Sequence, residues 1–257
     1  MQKVKQKINI IWFSHDLRIE DNPIFNSALL AKLPVIAIYC FDPGLIIPYS
    51  SGKPKMSKYR ARFILESLAA LSIQLKKIGI PLLVKQQSLD SFFSQLSEIY
   101  DIKEIHLTKH WNSEEVSAVN RVKSILPKTV FKESYTQFLI DPDQLPFDID
   151  QLPKVFTDFR KKIESSVKIK PFSTHSSFNN LLQNPPHSTL PTLTDLGYID
   201  FTIHTHSAFP YKGGTANALN HIQHYFWENK HLSKYKKTRN GLIGTDYSSK
   251  LSPWLAC

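Results

Sequence analysis

Five short apolar runs, separated by helical segments, constrain the first half of this chain more than any other feature. Residues 8–13 and 33–41 are almost continuously apolar, which is the pattern of strands buried on both faces of a parallel sheet. Weaker runs with the same character lie at residues 80–84, 103–107 and 129–131. We therefore predict an α/β fold built on a doubly wound, parallel, five-stranded sheet.

The segments between these runs carry the spacing of amphipathic helices. In the clearest one, residues 59–77, apolar side chains from Ile64 to Leu75 recur in steps of four and three, and Gly79 is expected to end the helix. Further helices are predicted after a cap at Asp21 or Asn22, at residues 89–100 and at residues 113–124.

The alternating pattern stops near residue 135. Residues 136–200 are rich in proline, and we predict a long connector there, with a short basic helix near 156–164 and a mobile Ser/Asn/Pro-rich part after it. Thr215 is expected to cap a later helix, whose apolar face would carry Leu219, Ile222, Phe226 and Trp227. The predicted divisions are therefore 1–135, 136–200 and 201–257.

Charge and cysteine content restrict the class of protein. The formal net charge of +10 favours an anionic partner, with nucleic acid first. Cys40 and Cys257 are too few for a disulfide framework, and the apolar run at 8–13 is too short for a signal-peptide core or a membrane span. We expect a cytoplasmic protein without a membrane partner.

The loop after the first strand argues against a nicotinamide-dependent oxidoreductase. It reads SHDLRIEDN and contains no glycine, so the dinucleotide fingerprint is absent. Ligands of such sheets bind beyond the carboxyl ends of the strands, which here means residues 14–21, 42–44 and 108–115. A local ion pair and a helix cap formed by Asp16, Arg18 and Asp21 would explain these charges without any ligand.

Four histidines raise the question of a metal site. They are His204, His206, His221 and His224. No carboxylate or cysteine accompanies them at ligand spacing, so we predict no metal site and assign them to the surface or to packing.

Residues 248–252, with the sequence SSKLS, combine hydroxyl groups with a cation. Ser252 followed by Pro253 suits the N-cap and first turn of a helix, and a helix start presents free N–H groups that can bind phosphate. Considered alone, an ordinary helix cap explains the same residues more simply.

Longer motifs carry a resemblance to a known family. WFSHDLRIEDN, KYRARFILESLAALSIQL and YKKTRNGLIGTDYSSKLSPWLA, in this order and spacing, resemble the photolyase and cryptochrome family. DPDQLPFDIDQLPKVFTDFRKKIE and FPYKGGTANALNHIQHYFW are similar to the DASH branch of cryptochromes in particular. The resemblance runs from about residue 8 to residue 256, and only residues near 172–197 are unmatched.

This resemblance implies a flavoprotein whose complete form uses blue light and FAD to split cyclobutane pyrimidine dimers, mainly in single-stranded DNA. The enzyme class would be deoxyribodipyrimidine photolyase, a carbon–carbon lyase, and a methenyltetrahydrofolate antenna commonly accompanies FAD. Residues 201–257 would be the truncated start of an all-helical FAD-binding domain. We expect this chain alone to be an inactive monomer. The alternatives are a non-catalytic folate- or nucleic-acid-binding remnant and a blue-light photoreceptor.

The resemblance also implies roles for individual residues, although no catalytic residue is expected in this chain. Tyr235 matches a tyrosine that contacts FAD. Arg239 matches an arginine used against DNA, with an exposed ion pair as its alternative role. Glu114 matches the acid that hydrogen-bonds the pterin ring of the folate antenna, and its neighbour Glu115 is the alternative if the match is shifted by one residue. The residues that match the phosphate-contacting run for FAD are Ser248, Ser249, Lys250, Leu251 and Ser252.

In the family, helices beyond the last motif cover several apolar side chains of this region. We therefore expect an exposed apolar patch in this chain. Its predicted members are Tyr225, Trp227, Leu242, Ile243, Trp254 and Leu255.

Overall fold

A computed structural model describes residues 4–46, 54–174 and 178–256. The strands are β1 (Gln6–Trp12), β2 (Val35–Cys40), β3 (Leu82–Lys85), β4 (Tyr100–Thr108) and β5 (Val130–Ser134). They form one sheet in the order β3-β2-β1-β4-β5, and every neighbouring pair is parallel. The predicted parallel five-stranded sheet is confirmed.

Helices connect and follow the strands. The α-helices are α1 (Pro23–Leu30), α2 (Pro43–Ile46), α3 (Lys58–Lys77), α4 (Leu89–Ile99), α5 (Ser113–Ile125), α6 (Phe156–Ser166), α7 (Thr215–Ile222), α8 (Tyr235–Thr238) and α9 (Ser252–Leu255). Short 3₁₀ helices lie at Pro142–Gln144, Ile149–Gln151 and His231–Lys234, and α7 continues into a π-helical segment at Gln223–Glu228.

The central strands are buried on both faces, as their continuous apolar runs predicted. Alternate residues point to opposite layers. Ile8, Ile10 and Ile36 pack in one layer with the side chains of α4 and α5. Ile11 and Ala37 pack in the other layer with those of α1 and α3. Helices therefore cover both faces of the sheet, which is the doubly wound arrangement.

Local signals set the helix ends in this half of the chain. Asn22, one of the two predicted caps, is the N-cap of α1 and accepts hydrogen bonds from the backbone N–H groups of Ile24 and Phe25. Gly79 follows α3 with φ of +73°, a conformation in which a side chain would be strained. Both predictions are confirmed.

The Ser/Asn/Pro-rich stretch is more tightly packed than its composition predicted. Leu182, Leu193 and Leu196 are buried against the core. The hydroxyl of Ser188 accepts a hydrogen bond from Val84 N–H and donates one to the Val84 carbonyl, each at 3.1 Å. The prediction that this stretch is mobile is therefore wrong, because its few leucines pack it against the helices and the sheet.

The predicted start and buried face of α7 are also wrong. Its N-cap is Gly214, one residue before Thr215. Leu219 is exposed, whereas His221 and Tyr225 are buried. The prediction counted only apolar side chains, but the buried face is formed by stacked rings, an imidazole among them.

Exposure of the expected apolar patch is confirmed in part. Four of its six members are exposed: Trp227, Leu242, Ile243 and Leu255. Tyr225 is instead buried, and Trp254 is partly buried among other rings. Within the described residues, no helix has the length and apolar character needed to cross a membrane.

Candidate functional site

Polar loops follow two adjacent strands at the carboxyl edge of the sheet. The loop after β1 carries His15 and Asp16, and the loop after β4 carries His110. Since β1 and β4 are parallel neighbours, the two loops emerge side by side. Residues 14–21 and 108–115, predicted from sequence as ligand-binding segments, therefore do lie together.

Glu115 joins these loops. Helix α5 begins beside them, with the Asn112 side chain as its N-cap. One carboxylate oxygen of Glu115 lies 2.7 Å from Nε2 of His15, and the other lies 3.3 Å from Nδ1 of His110. The adjacent Glu114 is more exposed and pairs with Lys55, whose Nζ lies 2.7 Å from each of its oxygens. Only the second acid of the pair thus faces the two histidines.

Burial shapes the electrostatics of this edge. It lowers the pKa of His110, an effect that the nearby Glu115 carboxylate partly opposes. Burial also raises the pKa of Asp16, against the hydrogen bond from Ser14 N–H and the charge of Arg18. The edge therefore combines the partly buried carboxylate of Glu115 with two groups that resist charging, His110 and Asp16.

The predicted local ion pair among Asp16, Arg18 and Asp21 is wrong for the part of the chain that the structure describes. Arg18 Nη2 instead donates to the carbonyl oxygens of Thr136 at 2.9 Å and Asp21 at 3.2 Å. Buried Asp16 accepts from Ser14 N–H and lies 3.4 Å from the Asn22 amide. Arg18 therefore hydrogen-bonds to carbonyl groups of the loops, because Asp16 is enclosed by its own turn.

Sequence reasoning did not single out His15 and His110 as members of this cluster. A signal was available, since each follows a predicted strand by two or three residues. Residues 42–44, the remaining predicted segment, have a structural role. Asp42 accepts from Gly44 N–H at 2.8 Å and from Leu89 N–H at 3.4 Å.

A second candidate site comprises residues 248–252. Nε2 of His221 donates to the Ser249 carbonyl oxygen at 2.7 Å, which ties the segment to α7. Trp254 Nε1 donates to the Lys212 carbonyl oxygen at 3.2 Å. Upstream, the Thr238 hydroxyl donates to the Tyr247 carbonyl oxygen at 3.1 Å. The first of these bonds holds the backbone of the segment itself, and the other two hold the residues that flank it.

The polar side chains of residues 248–252 have few partners within the chain and can therefore contact a ligand. Among described residues, the hydroxyls of Ser248, Ser249 and Ser252 make no hydrogen bond, and Lys250 makes no ion pair. Nζ of Lys250 lies over the ring of Tyr247, 3.1 Å from its centroid, and its backbone has φ of +54°. Three hydroxyls and one ammonium group are a donor set that suits phosphate.

The helix start predicted here is displaced by one residue. Helix α9 begins at Ser252, its N-cap is Leu251, and no side chain caps it. Pro253 lies in the first turn, as predicted. Leu251 occupies the cap with helical backbone angles, so the Ser252 hydroxyl is not used as a cap.

Tyr235 and Arg239 lie at the two ends of α8. Tyr235 is 40% exposed. Arg239 follows the helix as its C-cap, is exposed, and forms no ion pair with any described residue. Four exposed lysines accompany it: Lys230, Lys234, Lys236 and Lys237. The alternative role of Arg239 in an ion pair therefore has no support in this structure.

The sequence did not indicate a cavity of about 560 Å³ beside the amino-terminal half of α3. Its wall includes Arg60, Phe201, His204 and Tyr211. Arg62 donates to the Phe201 carbonyl oxygen at 2.8 Å and so fixes one side of the opening.

Comparison with known proteins gives consistent matches. Residues 9–177 match the family model described as DNA photolyase. A cryptochrome DASH from Gloeobacter violaceus is 36% identical over 252 residues, which cover 97% of this chain and 50% of that protein. The chain spans about half the length of the curated relatives it matches.

Solved structures match over a similar extent. A cryptochrome from Synechocystis has a TM-score of 0.90 at 31% identity, covering 99% of this chain and 53% of that one. An archaeal photolyase from Sulfolobus tokodaii, solved with two FAD molecules, has a TM-score of 0.73 at 20% identity, covering 96% and 51%. The latter likeness shows the fold alone.

Proposed function

Because the chain belongs to the DNA photolyase family, we propose that it supplies the antenna domain and the first part of the FAD site of a cryptochrome DASH. The complete protein would split cyclobutane pyrimidine dimers with blue light, mainly in single-stranded DNA. Residues 1–135 would form the antenna domain, 136–200 the connector, and 201–257 the beginning of the FAD-binding domain.

One observation supports this proposal most. The match to the Gloeobacter protein, at 36% identity, covers 97% of the chain, so it extends well beyond the α/β sheet. A fold match confined to the sheet would support only an α/β scaffold. A match that covers nearly the whole chain favours a shared biochemical role.

The proposed FAD contacts are suited to the ligand's diphosphate. Ser248, Ser249 and Ser252 would donate hydroxyl hydrogens to phosphate oxygens, and Lys250 would balance their charge. The bond from His221 to the Ser249 carbonyl would hold the segment in position before the ligand arrives. Tyr235 would add a ring contact. When bound, FAD would supply the light-driven electron transfer.

For the folate antenna, Glu115 is the better candidate of the two acids. It sits between two loops at the sheet edge, whereas Glu114 is held outside by Lys55. A carboxylate has enough lone pairs to keep its histidine contacts and accept N–H bonds from a pterin ring. We propose methenyltetrahydrofolate as the ligand of this edge.

The 257-residue chain tested alone should not retain FAD tightly. Binding sites usually enclose most of a ligand's surface, whereas Tyr235 and Ser252 are both exposed. The test is to purify the chain, add FAD, remove the excess by gel filtration and record the flavin absorbance. Stoichiometric retention would overturn this part of the proposal.

The activity itself requires a complementation experiment. We would co-express the chain with the second half of the Gloeobacter cryptochrome DASH and assay blue-light repair of a thymine dimer in single- and double-stranded oligonucleotides. Flavin retention with repair, greater on the single strand, is the expected result. A flavin-loaded complex without repair would contradict the repair proposal and favour the photoreceptor alternative.

A non-catalytic nucleic-acid-binding module is the second candidate. The observation in its favour is the exposed basic segment around Arg239, which has no acidic partner among the described residues. Five cations close together can bind a phosphate backbone without any flavin. Salt-dependent DNA binding by the chain alone, with no repair in the complemented complex, would favour this candidate.

A further inference from the structure

A cluster of two imidazoles and a carboxylate lies upstream of the proposed FAD segment. His224, His231 and Asp246 each offer one ligand atom, and these atoms all lie within 4.8 Å of one another. From the sequence, His224 was a candidate ligand but the other two were not, because 14 residues lie between His231 and Asp246 in the chain. We propose that these three side chains bind Zn²⁺.

The chemistry of the donor set fits this ion. Zn²⁺ commonly takes imidazole nitrogen and carboxylate oxygen, and three protein ligands leave a fourth position for water. Bonds of normal length would place neighbouring ligand atoms about 3.3 Å apart. The present spacing therefore needs a movement of roughly 1–2 Å, which the exposed side chains of His224 and Asp246 can make.

His231 supplies an independent reason. Its Nε2 is buried and makes no hydrogen bond with described residues, although it lies 3.5 Å from Oδ2 of Asp246. The other carboxylate oxygen, Oδ1, accepts a hydrogen bond from the Thr245 hydroxyl at 2.8 Å. That bond orients Asp246 with Oδ2 towards the imidazole, an arrangement typical of metal ligands.

The backbone around these three residues also has uncommon conformations. His224 lies in the π-helical segment Gln223–Glu228, and such segments are rare and frequent at functional sites. Lys230, with φ of +50°, precedes the 3₁₀ helix that carries His231. Gly244, with φ of +88°, lies in the loop that brings back Asp246. Three separate segments thus converge on the cluster.

Three nearby contacts oppose the proposal, and one of them joins Nδ1 of His224 to a carboxylate oxygen of Glu228 at 3.4 Å. Lys234 lies in the lining of a small cavity that also includes Asp246, and its charge repels a cation, but the side chain is exposed to solvent and the charge is screened there. Nε2 of His224 lies 2.8 Å from the Asn229 amide nitrogen. Rotation of the exposed His224 ring would exchange that neutral contact for a coordinate bond.

The test uses the 257-residue chain, with any affinity tag removed and metals stripped by a chelator. Zn²⁺ is titrated by calorimetry, and Co²⁺ is added separately to record its visible absorption, which reports coordination geometry. We expect one ion per chain and a tetrahedral-type Co²⁺ spectrum. His231→Ala and Asp246→Asn should each weaken binding at least about tenfold, because even outer-shell changes have effects of that size.

The double variant His204→Ala/His206→Ala is the matched control, since it removes two exposed histidines that lie outside the cluster. It should bind Zn²⁺ as the parent does. Circular dichroism checks the fold of each variant, and Asp246→Asn keeps the side-chain volume if His231→Ala does not fold. Absence of binding to the parent, or equal binding by the folded cluster variants, would overturn the proposal.

Discussion

Nε2 of His221 lies 2.7 Å from the carbonyl oxygen of Ser249 and connects α7 to the segment that carries the proposed phosphate donors. The same imidazole stacks on Trp254, with ring centroids 5.4 Å apart and planes at 27°. Buried His221 thus contacts both the 248–252 segment and helix α9. It positions Ser248–Lys250 without belonging to the predicted ligand set.

Replacing the imidazole of His221 separates its hydrogen bond to Ser249 from its ring stacking on Trp254. His221→Phe keeps the ring stacking but leaves the Ser249 carbonyl without its donor, at a cost of about 1–3 kcal/mol. We expect faster proteolytic cleavage within residues 240–252 and a slightly lower unfolding temperature. Limited proteolysis with mass spectrometry measures both the site and the rate of cleavage.

His204→Phe is the control for this change, because His204 is exposed and bonded only locally. Its cleavage pattern should equal that of the parent. Equal cleavage of His221→Phe and the parent would show that the bond to Ser249 does not hold the segment.

Acidification should destabilise the sheet through His106. Burial lowers the pKa of this histidine to about 4, although the Glu104 carboxylate partly opposes the shift. The unfolded chain takes up a proton below its ordinary pKa of about 6.5, whereas folded His106 stays neutral until much lower pH. Its contribution to stability is therefore present above that ordinary value and is lost as the pH falls.

The expected loss from this one group is about 2 kcal/mol between about pH 7.5 and about pH 5. Urea unfolding of the parent and of His106→Gln at several pH values measures it. The difference between the two proteins should shrink as the pH falls. A difference that is constant with pH would contradict the assigned protonation state.

A methyl group at Gly214 should loosen the contact between α7 and α3. Gly214 has φ of +97°, and a Cβ there would lie 2.7 Å from Cβ of Ala70. Gly197 also has positive φ, +84°, but a Cβ there would meet nothing within 4 Å. Gly197→Ala therefore isolates the backbone strain from the clash.

We expect Gly214→Ala to lose about 1–3 kcal/mol more unfolding free energy than Gly197→Ala, because only the first adds steric overlap. Urea unfolding at neutral pH measures the difference. Equal losses would indicate that α7 can shift away from α3 at little cost.

Binding of single-stranded DNA should depend on Arg239. Its exposed guanidinium has no acidic partner in the described part of the chain, so it is free to contact a phosphate. Arg239→Ala should weaken binding of an oligothymidylate and reduce the slope of log affinity against log salt by about one unit. Fluorescence anisotropy across a salt series measures both.

Arg121→Ala removes the same charge from an exposed ion pair with Asp90. This control keeps the net charge equal to that of Arg239→Ala. If the two variants lose the same affinity, the binding reflects overall charge and no specific contact by Arg239.

Glu115→Gln should weaken binding of methenyltetrahydrofolate more than Glu114→Gln does. The first change removes the charge of the acid that faces His15 and His110, whereas the second affects an exposed pair with Lys55. A loss of about 1.5–3 kcal/mol is typical for a charged hydrogen bond. Fluorescence titration with the folate measures the two affinities, and a larger loss for Glu114→Gln would reverse the assignment.

The sequence alone determined the architecture of the first half. Continuous apolar runs at residues 8–13 and 33–41 can be buried only in a sheet covered on both faces, and the amphipathic segments supply that cover. Asn22 and Gly79 marked helix ends because capping and positive φ depend on local chemistry. The long motifs also placed the chain in its family.

Tertiary structure decided which side chains meet. The sequence resemblance favoured Glu114 over its neighbour Glu115, whereas the packing of α5 against the loops after β1 and β4 directs Glu115 towards His15 and His110. The meeting of His231 with Asp246, and of His221 with Ser249, likewise depends on how distant segments fold back. Such contacts follow from three-dimensional packing, which local sequence patterns do not encode.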